Sequence, residues 1–255
     1  MELRALRRDR AARVGPELFL LQRAFDDCLE RIGLVQRRFR SALLIGCPSP
    51  EWPRQLRSIV EQVDVRDPAR LFADAAGGLE ILEDAWSAPA AYDLVLAIGT
   101  LDTVNGLPLA LRSMRQAMLP AGLFIGALSG GDTLPQLRAA IRAVDRGGAA
   151  PHVHPRIEAS ALAPLLSAAG FVMPVVDVDR VQVSYPDLPA LVADLRAMGA
   201  TNILNQRGRR PISRQAFAAA SSIFAAAGDG ERTVETFEIL HFAAWTPEGP
   251  TPKQG

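Results

Sequence analysis

Hydrophobic and polar positions along the chain fall into two rhythms. Residues 42–45, 94–98 and 123–128 are apolar with little or no polar alternation. That pattern predicts strands covered on both faces. Leu18, Leu21, Phe25, Leu29 and Ile32 recur near every third or fourth position, which predicts an amphipathic helix. The pattern makes residues 1–40 helical, with Gly15-Pro16 as a start, and 41–45 the first strand. A helix over 51 to about 60 follows, then short strands at 62–65 and 79–82. Residues 92–99 read as the clearest strand, 107–119 as a helix and 123–128 as the fifth strand. Helices at 133–144 and 158–169 come next, the second stopped by Gly170. Residues 171–185 alternate with period two, with a slip between Val178 and Val181. Helices at 188–198 and 213–227 precede a last strand at 233–245.

Five strand–helix alternations followed by a long β pair predict an open, mostly parallel α/β sheet with helices on both faces. The last strand, joined without a crossover, is expected to be antiparallel. The chain divides into an N-terminal helical cap at 1–40, an α/β domain at 41–246 and a Pro/Gly-rich tail at 247–255.

Composition narrows the function classes. The chain has 255 residues, 49% of them hydrophobic, enough for one sizeable core. Lys plus Arg and Asp plus Glu balance at 28 each, so no global field recruits nucleic acid. Arg4, Arg7, Arg8, Arg10 and Arg13 read as a solvated helix face or as a contact for an acidic partner. Cys28 and Cys47 make neither a disulfide framework nor a zinc quartet. With no apolar leader and no membrane-length run, the expectation is a soluble, cytoplasmic protein.

Candidate chemistry centres on residues 41–53, SALLIGCPSPEWP. A buried strand, a turn at Gly46 and a helix open many nucleotide-binding units. Here Pro48-Ser49-Pro50 stands where such turns carry more glycine, and proline has no N–H. Asp64 lies 18 residues after Gly46, near the spacing of a ribose-binding acid. Asp84 and Trp86 follow the third strand and could bracket an adenine. Residues 100–103 lie just past the end of the fourth strand, where α/β sheets bind ligands. His152 and His154 would face one side of an extended segment; without a third ligand no metal site is assigned. His154, Arg156 and Tyr185 are substrate-contact candidates, and no catalytic base is assigned. The absence of G-x-G-x-x-G at Gly46 argues against a nicotinamide-binding oxidoreductase.

Several stretches carry a family resemblance. They are RALRRDRAAR near the start, YDLVLAIGTLDTVNGLPLALRSMRQAMLPAGLFIGALSGGDTLPQLRAA, HPRIE, DLRAMGATN and FEILHFAAW. Together they resemble the class I S-adenosylmethionine-dependent methyltransferases. The likeness is to the branch of the biotin-pathway malonyl-carrier-protein methyltransferase and the mitochondrial complex I assembly-factor methyltransferases. The resemblance implies a seven-stranded Rossmann-like sheet with a reversed last strand, and S-adenosylmethionine as cofactor. It implies that Gly46 and Cys47 form the cofactor turn, Asp64 holds the ribose, and Asp84 and Ala85 meet the adenine. Gly99, Thr100 and Leu101 would wall the methionine moiety. Two activities follow from it: methyl transfer to a small, carrier-bound or protein acceptor, or an assembly factor of respiratory-complex type that has lost transfer and binds or modifies a protein partner. The family turn has further glycines and an acid in the strand before it, where this chain has Leu44 and the Pro48-Ser49-Pro50 run. That departure is expected to weaken cofactor binding, and it does not by itself establish loss of binding.

Overall fold

A computed structural model describes residues 3–144, 153–204 and 212–249. Its centre is one seven-stranded sheet in the order β3-β2-β1-β4-β5-β7-β6. The strands are β1 (Phe39–Ile45), β2 (Val60–Asp67), β3 (Leu79–Glu80), β4 (Tyr92–Ile98), β5 (Met118–Ser129), β6 (Val172–Tyr185) and β7 (Thr233–Trp245). β1 to β5 pair in parallel, and β7 inserts antiparallel between β5 and β6. The expected sheet, with its reversed last strand, is the one observed.

The predicted N-terminal helical stretch is two helices, α1 (Leu3–Val14) and α2 (Phe19–Leu34), and Phe39 already opens β1. The break falls at Gly15, whose φ is +93° and which precedes a proline. α3 (Glu51–Leu56) is shorter than expected, because Val60 starts β2. β2 in turn runs on to Asp67, two residues beyond the expected end.

Each sheet face has its own core, because successive strand residues point to opposite faces. Leu43, Ile45, Val95, Ala97 and Phe124 pack with Leu111 and Met114 of α5 (Leu107–Ala117) and Leu162 and Leu166 of α7 (Ala159–Ala168). Ala42, Leu44, Leu94, Leu96 and Ile125 pack with Phe25, Cys28 and Ile32 of α2 and with Trp52 and Leu56 of α3. A third cluster joins Tyr185 and Phe237 to α6 (Pro135–Val144), α8 (Leu188–Ala197) and α9 (Arg214–Ala226). α4 (Arg70–Ala75) follows β2. The expected side-chain cap on α9 is present: Ser213 Oγ accepts from Ala216 N at 3.1 Å.

The slip expected in the middle of β6 is absent. Pairing with β7 is continuous from Val175 to Tyr185, and the irregularity lies between Val172 and Val175, around Met173 with φ +50°. The change of apolar phase has another cause. Val176 packs with the α7 side of the sheet, and Val181 and Val183 with the clusters on the other side.

Candidate cofactor cleft and acceptor chamber

The C-terminal ends of β1 and β4 meet where chain order reverses, the usual ligand crevice of such sheets. Gly46 turns there with φ +79°. A Cβ on it would sit 2.2 Å from Ile98 O and 2.6 Å from Thr100 Cγ2, so only glycine fits. The turn that follows is rigid. Gly46 N–H donates to Arg66 O, and Cys47 N–H to Asp67 Oδ2 at 2.8 Å. Trp52 stacks on Phe25 with centroids 4.5 Å apart and donates from Nε1 to Gln22. With Pro48 and Pro50 lacking N–H groups, this turn offers an anion fewer donors than a glycine-rich one.

The acid at the crevice end of β2 is its last residue, Asp67, which lies behind Arg8 rather than on the wall of the open space. It is fully buried and lies 20 residues past Cys47. Asp64 pairs with Leu43 in mid-strand, is exposed, and accepts a hydrogen bond from Tyr92 Oη at 2.7 Å. That contact, after burial, pushes the Tyr92 hydroxyl up to about 12. Asp84 is half-buried, its Oδ2 accepting from Gly106 N at 3.0 Å, and it lines neither the α1-lined space nor the larger chamber beside it. Its neighbour Glu83 is the buried acid that points into the fold, and Ala85 is exposed. Gly99, with φ +62°, lies against Leu21 of α2, and Leu101 is packed into the core.

α1 lines the cleft with Arg4 and Arg8, which are neither solvated nor left for an acidic partner, whereas Arg10 and Arg13 are exposed as a solvated face would have them. Arg8 Nε donates to Asp67 Oδ1 at 3.1 Å and its Nη2 to Oδ2 at 2.6 Å. Its Nη1 donates to Gly99 O at 3.3 Å. Burial alone would lower the Arg8 pKa, but the Asp67 carboxylate overrides it and holds the guanidinium above its ordinary value. Arg4 donates to Glu83 Oε2 and to Thr100 O. Both arginines are only 4% exposed. Arg4 and Arg8 stand one helical turn apart on one face, with buried Ala5 next to Arg4 and buried Ala11 three residues past Arg8. The space they leave is about 90 Å³, lined also by Leu21, Gly99, Arg156 and Glu238.

A second, larger chamber of about 410 Å³ lies beside the first. Leu101, Val104, Leu107, Ile157 and Leu204 make it apolar, and Asp102 and His154 give it polar points. Asp102 and Thr103 line both spaces. On this shared wall Asp102 Oδ2 accepts from Arg156 Nη1, on the side of the smaller space, with the Arg156 and Asp102 side chains 3% and 8% exposed. Burial, and then the Arg156 charge, hold the His154 pKa below its ordinary value, so the imidazole is neutral near pH 7. Of the three substrate-contact candidates, His154 lines the larger space and Arg156 the smaller. Tyr185 packs among α6, α8 and α9 and lines neither space. His152 lies outside the described residues, among which no metal-holding cluster occurs.

Sequence reasoning missed Arg4, Arg8, Asp67 and Glu83. The signal for Asp67 was the following Pro68, which marks a strand end. For the arginines it was their i,i+4 spacing, which puts both on one helix face.

No protein-family model matches the chain. It is 33% identical over 238 residues to the zebrafish (Danio rerio) protein named "Arginine-hydroxylase NDUFAF5, mitochondrial", covering 86% of this chain and 72% of that one. The mouse protein of the same name is 35% identical over 159 residues, and the match spans only 46% of its length. The malonyl-[acyl-carrier protein] O-methyltransferase of Xylella fastidiosa is 34% identical over 161 residues, 63% of this chain and 54% of that one. Among solved structures, YcgJ from Bacillus subtilis superposes with a TM-score of 0.60 at 12% identity, over 87% of this chain and 97% of that one. The N-methyltransferase NodS of Bradyrhizobium japonicum, in complex with S-adenosylhomocysteine, gives 0.52 at 15% identity over 96% and 99%. These two likenesses speak to the fold. The expected cytoplasmic placement is corrected here, since animal relatives at 33–35% identity are named mitochondrial.

Proposed function

Because the chain belongs to the class I S-adenosylmethionine-dependent methyltransferase family, in the branch its carrier-protein methyltransferase and NDUFAF5 relatives define, we propose that the α1-lined cleft is its cofactor site and the larger chamber its acceptor site. One observation carries this reading. A buried carboxylate at the end of β2 accepts from the amide of the β1 turn, the arrangement that suits a ribose diol in α/β sheets. Asp67 would accept from the ribose, Glu83 would lie toward the base, and the Gly99 and Thr100 carbonyls would meet an ammonium group. The donor set fits S-adenosylmethionine chemically, although α1 holds the same acceptors.

When bound, the sulfonium supplies an activated methyl group. The chain's part is positioning, since a methyl transfer in line with a ready nucleophile gains most from orientation. The apolar chamber walls exclude water and seat an acceptor with an apolar stem. His154, kept neutral, is placed to accept a proton from that acceptor. Asp102, on the wall shared by the two spaces and paired with Arg156, attracts a polar acceptor end. A small, carrier-bound or protein acceptor matches this chemistry.

The second reading is an assembly factor that binds or modifies a protein partner without methyl transfer. It is favoured by the proline-rich turn and by the arginines that fill the cleft. Titration calorimetry with S-adenosylhomocysteine separates the two. Binding by the wild-type chain or by Arg8→Ala, lost in Asp67→Asn, supports the cofactor site. Binding by neither up to millimolar ligand, with native near-ultraviolet circular dichroism, favours the assembly factor.

A further inference from the structure

We propose that α1 is a displaceable plug whose Arg4 and Arg8 compete with the cofactor for its own acceptors. The proposal rests on the cofactor reading of the cleft. A surface helix normally buries an apolar stripe. α1 buries Arg4, Arg8 and Asp9 beside only two alanines; the arginines are matched to groups at the sheet's ligand end, and Asp9 accepts from the Leu71 amide of α4. Asp67 is saturated. Its oxygens accept from Arg8 Nε and Nη2, from Cys47 N at 2.8 Å and from Ala69 N at 2.7 Å. A ribose diol needs acceptor positions on that carboxylate, and the two not used by backbone amides are the two Arg8 holds. Arg4 and Arg8 likewise occupy the Thr100 and Gly99 carbonyls. The remaining 90 Å³ compares with roughly 300–1,000 Å³ for sites that enclose ligands of cofactor size.

The seat is built for charge rather than for apolar adhesion. The apolar contacts under α1 are Ala11 and Ala12 on Ala69 and Phe72, a small area beside a leucine-lined helix face. Arg8 lies over the Phe72 ring at 5.3 Å. Gly199 gives room for it, since a Cβ there would lie 3.3 Å from Arg8 Cγ. The joint to α2 begins at exposed Gly15, which has open space around it, while Glu17 N–H is anchored to Ala197 O. A ligand that brings its own donors to Asp67 replaces the Arg8 bonds, and the freed guanidinium regains water. Cofactor affinity is then set by how readily α1 leaves.

Ala11→Glu tests this without touching a cofactor-facing group, because it places a carboxylate against Ala69 and Phe72. Under the proposal this variant binds S-adenosylhomocysteine about tenfold or more tightly than the wild type, the closed fraction being removed. In the wild-type chain, added S-adenosylhomocysteine should speed hydrogen exchange at the α1 amides. Equal affinity in the two chains, or slower α1 exchange as a lid closes over ligand, overturns the plug and leaves the cofactor site standing. Binding by neither chain overturns both. Should Ala11→Glu fail to fold, the wild-type exchange experiment decides by itself.

Discussion

Asp67 gathers four donors from three parts of the chain, and a buried carboxylate so placed is sensitive to the loss of its charge. Asp67→Asn leaves Arg8 without its counter-ion, which is expected to lower stability by about 3–5 kcal/mol. It should also weaken S-adenosylhomocysteine binding at least about tenfold, because bonds to a charged acceptor are lost. Asp64→Asn, at an exposed mid-strand position, should stay within about 0.5 kcal/mol of the wild type and leave affinity unchanged. Urea denaturation and calorimetry on the pair check both statements. The thiols make a second residue-scale case. Burial pushes Cys28 and Cys47 up to about 12, so neither carries appreciable thiolate at neutral pH. A chromogenic disulfide reagent at about pH 8 should find no fast-reacting thiol in the native protein and both cysteines after denaturation.

At the scale of elements, the β1–α3 turn keeps its shape through packing rather than through glycine. Trp52 is fully buried and stacked on Phe25, joining α3 to α2. Trp52→Ala should cost about 3–5 kcal/mol, read as a lower urea midpoint. Because α2 also lies under Gly99 through Leu21, the same substitution should loosen the β4 end of the cleft and speed amide exchange there. α1 is held differently, by buried ion pairs more than by apolar contact, and burial shields those pairs from salt.

For the whole molecule, pH couples to stability through buried histidines. Burial holds the His241 pKa below its ordinary 6.5, although Asp27 lies 2.8 Å from Nδ1. The unfolded chain therefore binds a proton there before the folded chain does. The stabilisation is fully present above about pH 6.5 and is lost as pH falls toward the lower folded value. Glu83 and Glu235, pushed up by burial, act in the opposite sense from their ordinary 4.5 upward. The informative quantity is thus the difference between wild type and His241→Asn. Melting temperatures should fall more steeply in the wild type between about pH 7 and 5.5 than in the variant. Parallel curves would remove His241 from this role.

The sheet was legible in the sequence because its central strands are covered on both faces and so read as unbroken apolar runs. The turn at Gly46 was legible for a local reason too: a tight strand-to-helix turn needs a residue that tolerates positive φ. The cleft was not legible at the same depth. Asp64 and Asp67 both lie near the spacing of a ribose acid, and only the true end of β2 decides which carboxylate faces the crevice. The polar residues Glu61, Gln62 and Asp64 disguised that strand, since it lies next to a two-residue edge strand and is half exposed. Arginines on a short helix read as solvated because an unpaired charge is costly to bury. Arg8 and Arg4 escape that rule through partners 59 and 79 residues away. Local pattern determined the elements and most of their order. Long-range charge pairing, which no local pattern encodes, decided what fills the site.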